Sequence, residues 1–196
     1  MARSRQNTKK ATQSGTVRII AGLWKGKKLA VLDSQGLRPT TDRVKETLFN
    51  WLMFDVADNR VLDCFAGSGS LGFEALSRGA AHVTLIEKDK QAARQLTQNA
   101  DLLNPNALQV IHNDSLQFIA QNKQAYDLVF IDPPFRCGLA EKTIQALVDN
   151  QALNNQALVY VETEKELASP FWPEDWQLIK EKNAGQVSCR LFKVNT

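Results

Sequence analysis

No run of about 18 apolar residues occurs in this chain, and its basic opening, MARSRQNTKK, is not followed by the apolar stretch that a secretory signal needs. Both absences argue against a membrane or secreted protein, so a soluble, cytoplasmic one is expected. Cysteine is scarce: Cys64, Cys137 and Cys189 are far apart, odd in number and without a C-x-x-C pair, which leaves no basis for a disulfide framework or a zinc site. Histidine is scarcer still, with only His82 and His112, each beside an apolar run, and no metal is expected. Acids are missing from residues 1–28, where eight Lys and Arg fall, leaving 16 bases against 21 acids in the remainder. A basic arm on an acidic body suits a polyanionic partner, above all nucleic acid, or serves as a solubilising tail.

With 196 residues and 43% apolar content, the chain has enough material for one well-buried core and a short appendage, and a monomer is expected. Its organising stretch is Arg60 to Gly72, RVLDCFAGSGSLG. An apolar run enters a turn at Gly67-Ser68-Gly69, and a helical pattern follows from Ser70, the opening βα unit of a nucleotide-binding sheet. Glycines in such a turn let a ligand approach the main chain. Gly67, Gly69 and Gly72 also spell the G-x-G-x-x-G of dinucleotide-binding proteins, so they do not choose the ligand. The lysine of a phosphate-binding P-loop is missing, which argues against ATP.

Residues 1–15 are polar, basic and aperiodic, a composition expected to lack fixed structure until a partner binds. Val17–Ile20 and Lys28–Val31 predict a hairpin across Gly22–Gly26 that presents Trp24 beside Lys25, the indole either stacking on a base or packing on the body. A loop through Arg38, Thr40 and Arg43 runs into a helix capped by Thr41 or Asp42. That helix is expected to bury Val44, Leu48, Trp51 and Leu52, to expose Lys45 and Glu46, and to end near Asp58-Asn59. Residues 16–58 thus read as a hairpin-and-helix extension to a domain spanning 59–196.

From Arg60 strands and helices alternate: strand 60–65, helix 70–78, strand 82–87, a helix burying Ala93, Leu96, Ala100 and Leu103, strand 108–111, helix 115–122, strand 126–131, helix 139–149 and strand 157–162. Strands 176–182 and 187–194, separated by Asn183-Ala184-Gly185, read as an antiparallel hairpin. The fold class is α/β, a doubly wound, seven-stranded, mostly parallel sheet.

Ligands of such sheets sit beyond the carboxyl ends of the strands, and four of these ends carry acids: Asp63, Glu87, Asp114 and Asp132. Glu87 lies 20 residues beyond Gly67, the reach at which an acid meets ribose hydroxyls, which suits either NAD or S-adenosylmethionine. Asp63 favours the latter, because an acid there sits poorly beside a pyrophosphate and well beside the ammonium of a methionine moiety. Asp114, before Ser115, is also a natural helix cap. In Phe130-Ile131-Asp132-Pro133-Pro134-Phe135 the two prolines hold Asp132 and Pro133 extended and aim a carboxylate and a carbonyl from one rigid loop. An exocyclic NH₂ of a nucleobase supplies two donors to match, and Phe135 offers the base a stacking face.

With Asp63–Gly69 as first motif and Asp132–Phe135 as catalytic motif, the chain resembles the class I S-adenosylmethionine-dependent methyltransferases that modify amino nitrogens. Similar D-P-P-aromatic loops serve adenine N6 in DNA and guanine N2 in RNA. Arg18–Gly22, Lys25–Leu29 and Arg38–Asn50 resemble the bacterial 16S ribosomal RNA guanine-N2 methyltransferase family of the D type, a likeness that runs from about Thr16 to the C-terminus. That resemblance implies transfer of a methyl group to one guanine of the small subunit. It implies that Asp63, Phe65, Gly67 and Gly69 hold the methionine end of the cofactor, Glu87 its ribose and Asp114 its adenine amine. Asp132, Pro133, Pro134 and Phe135 would hold the guanine, and Arg18, Trp24, Lys25, Arg38, Thr40 and Arg43 would face RNA. Arg38 and Arg43 could equally make ion pairs within the domain. The competing classes are a DNA adenine-N6 methyltransferase, a nicotinamide oxidoreductase and a non-catalytic RNA-binding module.

Overall fold

The computed structural model describes residues 15–32, 42–104, 106–166 and 172–195. The basic arm up to Ser14 and the Arg38, Thr40 and Thr41 positions fall outside these residues. Two short strands, β1 (Gly15–Arg18) and β2 (Lys28–Val31), pair antiparallel with Arg18 opposite Lys28, as the hairpin reading expected, although the first strand already includes Gly15. Then come α1 (Asp42–Trp51), β3 (Arg60–Asp63), α2 (Ser70–Ser77), β4 (His82–Glu87), α3 (Lys90–Asp101), β5 (Leu108–His112), α4 (Ser115–Gln121), β6 (Tyr126–Ile131), α5 (Leu139–Asp149), β7 (Leu153–Glu164), β8 (Trp176–Ala184) and β9 (Val187–Val194).

The last seven strands form one sheet of order β5-β4-β3-β6-β7-β9-β8, parallel through β7 and antiparallel at β9 and β8. Each central strand alternates between two cores, as the period of 2 demands. Val61, Leu128, Phe130 and Tyr160 face a core shared with α1, α2, α3 and the small hairpin. Leu62, Val129, Ile131 and Val159 face the core covered by α4 and α5. Chain order reverses between β3 and β6, so the switch point, where α/β sheets bind ligands, opens beyond Asp63 and Ile131.

Several boundaries differ from the sequence reading; β3, for one, ends at Asp63 rather than at 65. β7 begins at Leu153 rather than Ala157; Gln156 has a φ of 64°, and the pairing with β6 shifts register there, an irregularity that the polar run Asn154–Gln156 hid. β8 runs on to Ala184, which pairs with Val187, so the turn is Gly185-Gln186. Helix α1 stops at Trp51, with Asp58 at a φ of 63° in the turns that follow.

The face of α1 also differs. Lys45 is buried, while Val44 and Trp51 are only half-buried, and Phe49 joins Leu48 and Leu52 in the core. Lys45 Nζ donates to the carbonyl of Arg18 at 2.7 Å, and its pKa is lowered by burial against the opposing pull of Glu74 and Asp42. Glu74 is fully buried on α2, and its two oxygens accept from the amides of Ile20 at 2.7 Å and Ala21 at 3.0 Å and from Arg78 Nε at 2.8 Å. Arg78 in turn lies 4.8 Å from the centre of the Phe49 ring. At Gly22, with φ of 81°, a Cβ would stand 1.9 Å from the carbonyl oxygen of Ser77, so the hairpin reaches α2 only through glycine. These contacts seal the extension onto the sheet domain through backbone groups that would otherwise be buried without partners.

Candidate active site

One cavity of about 860 Å³ joins the carboxyl ends of β3, β4, β6 and β7 to the inner face of α1 and the tip of the β8–β9 hairpin. Its floor is the glycine turn. Gly67, with φ of 52°, donates its amide to Glu87 Oε2 at 2.8 Å, and Glu87 Oε1 accepts from Asp89 N at 2.7 Å. The acid at the end of β4 therefore braces the turn while lining the cavity. Asp63 Oδ2 accepts from Gly72 N at 3.2 Å, so the acid of β3 ties the turn to the first turn of α2. Its carboxyl is pushed up to about 7 by burial and next by the charge of Asp132, against the amides of Phe65 and Gly72.

The two glycines of the turn do different work. Gly67 lines the cavity beside Phe65, Ala66 and Ser68. Gly69 does not: a Cβ there would lie 2.3 Å from the Phe73 ring and 2.7 Å from Leu96, and its φ is 76°. Its lack of a side chain makes room for the core rather than for a ligand. Ser70 begins α2 and lines the cavity, and its Oγ is buried without a hydrogen-bond partner among the described residues.

Asp114 reaches the rim as the N-cap of α4, its Oδ1 accepting from the amides of Leu116 at 3.0 Å and Gln117 at 3.4 Å. Its Oδ2 meets Lys88 Nζ at 3.1 Å, and that bond holds the carboxyl below the usual carboxylate range. Asp132, Pro133, Pro134 and Phe135, beyond the end of β6, all line the same cavity, with Pro133 buried and Asp132 and Phe135 half-buried. The loop is anchored behind this face, since the carboxylate of Glu164 accepts the amide hydrogen of Arg136.

Two site residues escaped the sequence reading. Glu162 on β7 lines the cavity, and Tyr160 Oη donates to its Oε1 at 2.6 Å. Its signal was a fifth acid, at the end of the expected strand 157–162; β7 itself runs two residues past it. Lys182 on β8 also lines the cavity and bonds Thr47 Oγ1 of α1 at 3.1 Å, linking hairpin tip to roof across 135 residues.

Of the residues expected to face RNA, Arg43 stands exposed at the cavity edge. Arg18 forms an exposed ion pair with Asp42 at 3.4 Å. Trp24 packs partly against the core, its amide bonded to Ser77 Oγ at 3.0 Å, and Lys25 is exposed beside it. Ser77 closes the far end of α2, roughly 10 Å along the helix from Ser70, so Trp24 and Lys25 are not brought to the cavity.

A seven-stranded sheet with one antiparallel insertion at β9, a glycine turn at its switch point and a proline-stiffened acidic loop after the neighbouring strand is the architecture of a class I methyltransferase. Residues 17–193 match the model of a family described as Conserved hypothetical protein 95. Ribosomal RNA small subunit methyltransferase D of Escherichia coli is 53% identical over 180 residues, covering 92% of this chain and 91% of the relative. The protein of the same name in Haemophilus influenzae is 55% identical over 183 residues, covering 91% and 94%. A solved structure of an Escherichia coli protein superposes with a TM-score of 0.87 at 49% identity, covering 93% of this chain and 99% of that one. The chain belongs to the ribosomal RNA small subunit methyltransferase D family.

Proposed function

We propose that this protein transfers the methyl group of S-adenosylmethionine to the exocyclic N2 of one guanine in 16S ribosomal RNA, acting in the cytoplasm, as a monomer, on the small subunit or its assembly intermediate. The observation that carries the reading is that the Gly67 turn and the Asp132–Phe135 loop, which follow the neighbouring strands β3 and β6, line one cavity within a chain of this family.

The residues present suit that cofactor. Asp63 is buried beside Asp132 and, among the described residues, makes no ion pair, and an ammonium would supply the cation. Glu87 would accept from ribose hydroxyls, and Asp114 from the adenine amine. Ser70 Oγ, buried at the cavity and without a hydrogen-bond partner among the described residues, is a further polar group that the cofactor could satisfy. S-adenosylmethionine, when bound, supplies an electrophilic methyl group on a sulfonium.

Guanine N2 is a weak nucleophile because its lone pair is shared with the ring. Asp132 and the Pro133 carbonyl would each accept one N2 hydrogen, turning the lone pair toward the methyl carbon and stabilising the positive charge that grows on nitrogen. Phe135 would stack on the base and hold it in line. The carboxylate of Asp132 lies against the proton that N2 must shed. Because the cavity is lined on several sides, the target base has to leave its stack to enter, which favours a loop or an unstacked nucleotide. Arg43, and in the sequence Arg38 and Thr40, would contact phosphate near the entrance.

The test is incubation with methyl-labelled cofactor and separate pools of small subunits, naked ribosomal RNA, DNA and protein, followed by nucleoside analysis. N2-methylguanosine confined to the small-subunit RNA is expected. Label in DNA as N6-methyladenine, or no label in any pool, refutes the reading.

A further inference from the structure

The Asp132 loop accepts an amino group and a flat ring, which adenine and guanine both provide, so something else must choose between them. On β7, Val161 pairs with Ile131 of β6 across strands about 4.8 Å apart, so Glu162 and Asp132, which follow these partners, stand at neighbouring strand ends, close enough for the charge of Asp132 to act on Glu162. Both acids line the cavity. Glu162 is 5% exposed and, among the described residues, makes no ion pair. The groups that face it are Asp132 from the end of β6, Tyr160 from its own strand and Cys189 from β9, with Lys182 of β8 near that thiol. Burial and then the charge of Asp132 push its carboxyl up to about 8. A buried acid next to a second acid, with a single hydroxyl donor, is a costly arrangement for an empty protein. It becomes favourable when a ligand brings two adjacent N–H donors.

We propose that Glu162 reads the base: its carboxylate accepts N1–H of the guanine while Asp132 accepts from N2, so that two neighbouring strand ends hold the two donors of one ring edge. This assignment rests on the guanine-N2 reading above. With Glu162 ionised, adenine, and any purine whose N1 is an acceptor, presents a lone pair to the carboxylate instead and is rejected, as sites built around a buried hydrogen bond reject analogues that lack it. The carboxylate is held in place for this task. Tyr160 Oη fixes one oxygen, the Tyr160 ring meets Phe130 edge-on at 6.4 Å, and Phe130 meets Phe49 of α1 at 6.0 Å. A change at Glu162 therefore acts on which base is accepted and leaves the cofactor wall untouched.

The experiment uses small-subunit particles reconstituted with RNA that carries either guanine or 2-aminopurine at the methylated position, assayed above pH 8, where Glu162 is ionised. 2-Aminopurine keeps the N2 amino group but has an acceptor at N1. The native protein is expected to prefer guanine by at least about 100-fold in kcat/KM. Glu162→Gln, whose amide can donate to an N1 acceptor, should reduce that preference to within about 10-fold, with cofactor affinity unchanged. A preference that stays at its native value in Glu162→Gln, or a native protein that accepts both bases equally, overturns the assignment while leaving the methyltransferase reading intact. Failure of the native protein to methylate the guanine particle overturns both. Should Glu162→Gln not fold, Tyr160→Phe removes the anchor of the carboxylate; a fall of several-fold in the same preference supports the assignment, and an unchanged preference overturns it.

Discussion

Glu87 Oε2 accepts the amide hydrogen of Gly67 at 2.8 Å, so the acid whose spacing suggested a ribose contact braces the glycine turn that lines the cavity. One carboxylate joins the ends of β3 and β4 and sets the shape of the floor. Glu87→Ala should weaken S-adenosylmethionine binding by about 10- to 100-fold, the effect of losing a charged hydrogen bond, as measured by titration calorimetry. An unchanged dissociation constant would remove Glu87 from the cofactor site.

The proposed mechanism has Asp132 act on the base and not on the cofactor. Asp132→Ala is expected to keep S-adenosylmethionine binding within a few-fold of the native value and to lower the single-turnover methylation rate by about 10²–10³ or more. Near-normal turnover would take away the role assigned to this carboxylate.

The two raised acids make the stability of the protein fall with pH. In the unfolded chain Asp63 and Glu162 ionise near about 4, whereas in the folded protein they hold their protons to about 7 and about 8. Between these limits the native state binds more protons than the unfolded one, so the contribution is full below about pH 4 and is lost as pH rises through 7 and 8. The melting temperature of the unliganded protein should decline across this window, and Asp63→Asn together with Glu162→Gln should flatten the decline. A melting temperature that rises steadily from pH 5 to 8 in the native protein, unaltered in the double variant, contradicts the assignment.

Glu74 holds the N-terminal extension down. Glu74→Ala strips partners from the amides of Ile20 and Ala21 and from Arg78, and leaves buried Lys45 without the acid whose charge favours its protonated form. A loss of about 3–5 kcal/mol is expected in denaturant unfolding. Amide exchange should quicken across residues 15–31 before it does in β3 or β6. Uniform acceleration throughout the chain would show instead that Glu74 supports the whole core equally.

Much of this architecture was written in the chain. β4, β6, α5 and β9 fall where alternation, helical spacing and turn residues placed them, because each such pattern is local and the sheet buries both faces of its strands. The Asp63 turn and the Asp132 loop were legible for a similar reason: a glycine pair and a proline pair restrict the backbone wherever they stand. Helix α1 was misread in part because a lysine on a helix is ordinarily placed in water. Lys45 is inside because its partners, the Arg18 carbonyl and the Glu74 charge, come from segments 27 residues before it and 29 after it.

The sequence by itself determined the order of strands and helices, the acids at their ends and the two motifs that name the chemistry, since these depend on neighbours a few residues apart. Only the tertiary structure decided that Gly69 serves the core while Gly67 faces the cavity, that Trp24 and Lys25 lie at the far end of α2, and that Glu162 stands beside Asp132. Each of those outcomes depends on which strands lie next to each other and which way a side chain faces once they do, and strand adjacency is fixed by packing across the whole sheet rather than by any stretch of the chain.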